Sequence, residues 1–269
     1  MCGISGIYNC SDRNINANKI IENIIKLQDR RGPDDRGIWQ SECKKITLGH
    51  NRLSIIDLTD KARQPLVSKD NNLVITFNGE IYNYKEIKNE LSKNNVLFKS
   101  NSDTEVILES YKYWGVEFVK KLRGMFAFAI WDNNKKKLLL ARDPFGIKPL
   151  YYFKKNNILF FASQVKSILS IDNLSFEKSK RSVLDYYLWG NIQEPLTLYK
   201  DIYSLERGTV KIIDGKLNET TYEYANIKDA ILNSKTTNFK NEFELNEKLN
   251  YLIKDTVNYH QVSDVPVTF

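Results

Sequence analysis

Short runs of β-branched, aliphatic and aromatic residues, each bounded by charged or turn-forming positions, dominate the first two thirds of the chain. Residues 4–8, 46–48, 53–56, 73–78, 125–132, 137–142, 150–153 and 158–161 are expected to be strands on this pattern. Between them the apolar period changes. Residues 17–27 place Ile20, Ile21, Ile24 and Leu27 on one helical face. Residues 84–93 follow Asn83 with Glu86 three positions on, and 104–114 follow Ser102 with Glu105 three positions on, the spacing of a capping box. The lysines 135–137, behind Asn133-Asn134, read as the tip of a hairpin, and Asp214-Gly215 as a further turn. Strands do not alternate one-to-one with helices. That disfavours a doubly wound parallel sheet and favours an α+β fold of packed layers.

The pattern also divides the chain. Residues 1–215 form the first domain, and the polar stretch 216–241, aperiodic from Asn226 onward, is expected to be a linker. After it, Leu245, Leu249, Leu252, Ile253 and Val257 make one helical stripe over 242–259, and 265–269 open a strand. Residues 242–269 thus read as the start of a second domain that is cut short.

Composition changes this picture little. The chain has 269 residues, 42% apolar and 27% charged, enough for a substantial core. The net charge of +7 comes from lysines dispersed among acids and asparagines, so no nucleic-acid partner is expected. No apolar run approaches the ~18 residues of a membrane span, and no secretory signal begins the chain. Cys2, Cys10 and Cys43 include no CxxC pair, and His50 and His260 are the only histidines. No metal site or disulfide framework is expected, and the chain reads as cytoplasmic.

Four stretches carry candidate chemistry. Cys2 follows the initiator methionine. It is either a small buried hydrophobe or, once Met1 is trimmed, a nucleophile whose own amine, ordinarily near pKa ~7.7–8.0, acts as its base. Gly3 and Gly6 beside it leave the backbone open to close approach by a substrate. Arg52 opens an apolar run, Leu53-Ser54-Ile55-Ile56. It either binds a substrate carboxylate or pairs with Asp57 or Asp60. Asn78-Gly79, ahead of Glu80, is either a tight turn or a pair of donors for a developing oxyanion. Asp103, after Ser102, either completes a helix cap or binds a substrate ammonium.

Taken in order, MCGISG, RRGPDDRG, GHNRLSIIDL, FNGEIYNY, SDTEVIL, LRGMFAFAIWD and RDPFGIKPLYY resemble the class II glutamine amidotransferase domain, in the form found at the N-terminus of glutamine-hydrolysing asparagine synthetases. ARQPL, residues 62–66, fits as well. The resemblance implies a four-layer αββα N-terminal-nucleophile hydrolase fold, two stacked antiparallel sheets between helical layers. It implies Cys2 as nucleophile after Met1 removal and Asn78 and Gly79 as oxyanion hole. Arg52 would then bind the α-carboxylate of glutamine, Glu80 and Asp103 its α-amino group, and the backbone of Leu53, Ser54, Ile55 and Ile56 would line the pocket. No cofactor is implied for glutamine hydrolysis. ATP and Mg²⁺ are implied for a C-terminal synthetase half that amidates aspartate. A homodimer is compatible with the resemblance. Arg30, Gln164 and Arg207 depart from the family pattern at positions bearing on interdomain coupling and thus on the ammonia acceptor. The alternatives are a glutaminase half serving another acceptor, such as a sugar acid or small metabolite, and a non-catalytic glutamine-binding module.

Overall fold

The computed structural model describes residues 1–234, 239 and 241–266. Its first strand, β1 (Gly3–Asn9), lies mid-sheet, paired antiparallel on both edges. Together with β2 (Asp35–Gln40), β3 (Ile46–Arg52), β8 (Tyr151–Lys155), β9 (Ile158–Ala162) and β10 (Ile202–Ser204) it forms a six-stranded antiparallel sheet of order β10-β8-β9-β1-β3-β2. A second sheet of six strands has the order β12-β11-β7-β6-β5-β4. It contains β4 (Leu66–Val67), β5 (Leu73–Ile81), β6 (Gly124–Asp132), β7 (Lys137–Arg142), β11 (Thr209–Ile213) and β12 (Glu219–Glu223).

Two-residue alternation sorts the side chains into layers. In β1, Ile4 and Tyr8 face the second sheet, where they meet Val74, Ala127, Ala129, Trp131, Leu138 and Leu140. Ile7 faces the opposite way, toward Ile21, Ile24 and Ile25 of helix α1 (Ala17–Leu27) and Ile168 of α4 (Val165–Leu169). On the far side, Ile75, Phe77 and Ile81 of β5 pack against α2 (Tyr84–Lys93) and α3 (Asp103–Trp114) through Ile87, Leu91, Val106, Ile107 and Tyr111. The result is the αββα layering expected from the sequence, with a further helix, α5 (Lys180–Trp189), following Ser179.

Several local expectations are corrected. Residues 53–56 are not a strand. β1 begins opposite Asn51 and β2 opposite Arg52, so no neighbouring strand extends to pair with them. Their amides bond side chains instead: Leu53 N–H donates to Cys2 Sγ at 3.3 Å and Ser54 N–H to Asp34 Oδ2 at 2.7 Å. Asn78-Gly79 is not a turn, because β5 runs straight through both residues and pairs with β6 along its length. Gly3 and Gly6 are not open to a substrate. A Cβ on Gly3 would lie 2.4 Å from Gln28 Oε1, and one on Gly6 would lie 2.2 Å from the Phe161 ring. The stretch 216–241 is no plain linker. β12 pairs with β11 from Glu219 to Glu223, and Ile227–Ser234 form a helix, α6.

Helix α7 (Glu242–His260) is tied down at its C-terminal end. Arg123 Nη2 donates to Asp255 Oδ2 at 2.6 Å, and its guanidinium lies over the Tyr259 ring. The Tyr259 hydroxyl donates to Glu86 Oε1 at 2.8 Å. Beyond the helix, Asp264 N–H donates to Ile55 O at 2.9 Å, and Asp264 Oδ2 accepts from Asp57 N–H at 2.8 Å. The strand expected over 265–269 falls partly outside the described residues. Those within it, Val265 and Pro266, are not in a strand.

Candidate functional site

The ends of β1 and β3, the middle of β5 and the start of α3 meet around one pocket of about 540 Å³, counting its open mouth. Cys2, Arg52, Leu53, Ile55, Ile56, Asn78, Gly79, Glu80 and Asp103 line it, so of the anticipated residues only Ser54 stands outside the wall. Long-range antiparallel pairing does this, because it sets residue 3 opposite 51 and continues β5 past the end of β4.

Cys2 is half-buried, with Sγ 3.3 Å from the donating Leu53 N–H, and Arg31 Nε donates to the Cys2 carbonyl at 3.0 Å. The α-amine of the chain, here on Met1, borders the same space. Arg52 is buried and does not pair with a carboxylate among the described residues. Its guanidinium donates to the carbonyls of Asp57 at 2.5 Å and Thr59 at 3.3 Å. Asp57 adopts φ +50°, and its carboxylate accepts from Thr59 and Asn101, so the turn that grips Arg52 is itself braced. Asp60 pairs with Arg63. Arg52 is thus held in place with nitrogen left for a ligand anion.

Asn78 and Gly79 supply donors with no competing acceptor. Asn78 Nδ2 is buried and makes no hydrogen bond. Phe77 N–H donates to Gln64 Oε1 at 2.7 Å and Ile81 N–H to Asp103 Oδ2 at 3.1 Å, so both point away from β6. Strand alternation sends Gly79 N–H, between them, to the same open edge. The bonds between Phe126 and Asp143 agree, because they turn the partner of Gly79 toward the other side. Only glycine fits here: a Cβ would stand 2.2 Å from Met125 O.

Glu80 and Asp103 line the same pocket. Ser102 caps α3 by accepting from Thr104 N–H at 3.1 Å, which leaves the Asp103 carboxylate to the β5 edge and the pocket. Burial pushes the Asp103 carboxyl up to about 7, with Glu80 adding to the rise and the Ile81 N–H opposing it. Burial also raises Glu80, against the pull of Lys148 and His260. Two carboxyls both raised by burial in one pocket suit a ligand that brings its own cation. Burial raises the Cys2 thiol, while a bond from the Leu53 backbone, the α-amine and Lys148 pull it down. The α-amine is lowered, first by burial and then by Arg31 and Lys148. His50 takes no part. It is fully buried against Thr76 Oγ1 at 3.1 Å, and burial holds its imidazole down to about 3, neutral at any physiological pH.

Sequence reasoning assigned no role to Gln64, Thr104 or Lys148, which also line the pocket. Gln64 takes the Phe77 N–H and donates to Thr104 Oγ1 at 3.2 Å, bridging β5 to α3. The signal was present, since Gln64 lies in ARQPL and Lys148 in RDPFGIKPLYY. What was missing was the fold that brings those motifs to residue 2.

Residues 1–225 match the sequence profile of the family described as glutamine amidotransferase domain. The chain is 38% identical over 271 residues to asparagine synthetase [glutamine-hydrolyzing] 1 of Bacillus subtilis, covering 99% of this chain and 41% of that protein. It is 33% identical over 276 residues to Amidase chry2 of Gibberella zeae, covering 99% and 40%. The chain therefore spans about two fifths of the length of these curated relatives. Among solved structures, a glutamine phosphoribosylpyrophosphate amidotransferase from B. subtilis superposes with a TM-score of 0.61 at 20% identity, over 83% of this chain and 49% of that one. At that identity the likeness concerns the fold, and it agrees with the stacked antiparallel sheets. With 225 of 269 residues inside the family profile and its pocket built by that fold, the chain belongs to the glutamine amidotransferase domain family.

Proposed function

We propose that this domain hydrolyses the side-chain amide of glutamine, with Cys2 as nucleophile once Met1 is removed. The observation that carries this reading is the pair of unengaged donors, Asn78 Nδ2 and Gly79 N–H, in the same pocket as the Cys2 thiol. A fixed cation, Arg52, and two acids, Glu80 and Asp103, also border it. A zwitterionic amino acid needs both signs of charge.

The free amine of residue 2 takes the thiol proton, and the thiolate attacks the amide carbon. The oxygen turned anionic lies against Asn78 and Gly79, whose donors are already desolvated and aimed. The protonated amine returns its proton to the leaving nitrogen, and ammonia departs from a γ-glutamyl thioester. Water, activated by the same amine, cleaves the thioester to glutamate and restores the thiol. None of these steps uses a cofactor.

In the longer protein the ammonia amidates aspartate, in line with the similarity to asparagine synthetase 1 of B. subtilis. ATP and Mg²⁺ supply the activation of the acceptor and would be bound outside the matched residues. The similarity to Amidase chry2 favours a second reading, in which another acceptor takes the ammonia. Full-length protein given amide-¹⁵N glutamine, ATP, Mg²⁺ and aspartate separates the two: label in asparagine supports the first, and label only in free ammonia the second.

The hydrolysis itself is tested by ammonia release from glutamine. The Met1-processed protein releases ammonia and Cys2→Ala falls to background. Unchanged release by Cys2→Ala refutes the assignment.

A further inference from the structure

The loop of residues 143–148, between β7 and β8, closes on a single carboxylate. Asp143 is fully buried. Its Oδ1 accepts from the N–H groups of Phe145 and Ile147, both at 3.0 Å. Its Oδ2 accepts from the N–H groups of Lys148 at 3.0 Å and Phe126 at 3.2 Å. Arg142 Nη2 donates to Gly146 O at 2.7 Å and its Nε to Lys148 O at 2.9 Å. Lys148 is therefore gripped at both its N–H and its carbonyl by buried charged groups. Such a mount has little freedom.

From it the Lys148 side chain enters the pocket wall shared by Met1, Cys2 and Glu80. It is 5% exposed and closes neither a hydrogen bond nor an ion pair among the described residues. Burying an ammonium without a partner is costly unless something in its surroundings uses the charge. Nothing in the packing of the two sheets does. The cation faces the nucleophile and one of the two acids of the site.

Resting on the reading of this pocket as a glutamine site, we propose that Lys148 is a positioning residue, a fixed cation that stabilises the anionic forms of Cys2 and Glu80. It acts through both without transferring a proton. Its field opposes the burial that raises each of them, and it also lowers the amine at the start of the chain, here on Met1. Other charges share this space. Arg31, on the turn after α1, acts on the α-amine in the same sense. Asp103 of α3 raises the thiol, and His260 of α7 pulls Glu80 down beside Lys148. Lys148 itself is lowered by burial and by Arg31, and raised by Glu80, Cys2 and Asp143.

The test is the pH dependence of Cys2 alkylation by iodoacetamide in the full-length, Met1-processed protein. It is followed on the Cys2 peptide by mass spectrometry, since Cys10 and Cys43 are also free thiols. Lys148→Met is expected to move the alkylation midpoint up by about one pH unit and to slow alkylation roughly tenfold at pH 7. It also raises KM for glutamine through Glu80. Lys148→Arg, which keeps the charge, is expected to bring the midpoint back to within about 0.3 unit of the parent. The proposal is overturned by a Lys148→Met midpoint equal to the parent's, or by Lys148→Arg shifting as far as Lys148→Met, which would make shape the cause. If Lys148→Met does not fold, Lys148→Gln is read in the same way. Alkylation needs no glutamine turnover. Failure of the glutaminase reading, seen as unchanged hydrolysis by Cys2→Ala, is therefore distinguishable from failure of this one.

Discussion

Asp103 shows how one residue can weaken a fold and serve a site. Its folded carboxyl titrates near 7, above the ordinary 3.8 of the unfolded chain. The native state therefore binds the proton more tightly, and stability is lost as pH rises from the unfolded value through the folded one. Asp103→Asn keeps an oxygen for the Ile81 N–H and removes that loss. It is expected to raise the melting temperature by about 2–4 °C at pH 8, for roughly 1 kcal/mol, with the gain shrinking toward pH 4. Calorimetry at the two pH values checks this. If Asp103 binds glutamine as proposed, the same substitution is expected to raise KM, because the ammonium loses a carboxylate. In the parent protein, KM is expected to climb as pH falls below about 7, where Asp103 must release a proton before it can bind the ammonium. Asn78 differs, because in the proposed reaction its amide is used only as the oxyanion develops. Asn78→Ala is expected to lower kcat about 10²- to 10³-fold with little change in KM, measured by steady-state ammonia release.

At the scale of elements, the pocket exists because strands stop at chosen places. β3 ends at Arg52 and the chain departs, so Leu53, Ile55 and Ile56 line a cavity instead of continuing a sheet. The residues there are β-formers by composition, which is why local pattern reads them as a strand. Only the ends of β1 and β2 reveal that no partner is present. β5 does the reverse. Asn78-Gly79 carries the strongest short-range turn signal, yet nine paired residues of β6 override it. Gly79→Ala would force Met125 O away from β5. It is expected to cost about 3 kcal/mol and to lower the urea midpoint sharply. The segment after α7 is tied to the pocket loop by two bonds through Asp264. Asp264→Ala frees the Asp57 amide, which is expected to loosen the loop that grips Arg52 and to raise KM for glutamine about two- to fivefold at unchanged kcat.

Over the whole molecule, two sheets and their helices account for nearly all the buried apolar surface, and α7 stands apart from it. Leu245, Leu249, Leu252, Ile253 and Val257, the stripe legible in the sequence, are 43–53% exposed. Replacing Leu249 and Ile253 by Gln is expected to change stability by less than about 0.5 kcal/mol each, since neither packs on the sandwich. Thermal melting of the 269-residue chain checks this.

The sequence by itself determined the layered α+β class, most strands, the three helices behind the sheets and the residue types of the site. Periodicity is local, and it survives folding wherever each face has one burial to satisfy. Only the tertiary structure decided where each of those residues stands and what it bonds. Arg52 grips backbone carbonyls instead of the Asp57 carboxylate, Ser102 caps and frees Asp103, and Gly79 lies mid-strand with its N–H in the pocket. Lys148 joins Cys2 across 145 intervening positions of chain, a distance over which no local pattern carries information. These choices depend on which backbone groups find strand partners. That is settled by pairing between segments far apart in the chain, and burial then fixes the charge each group keeps.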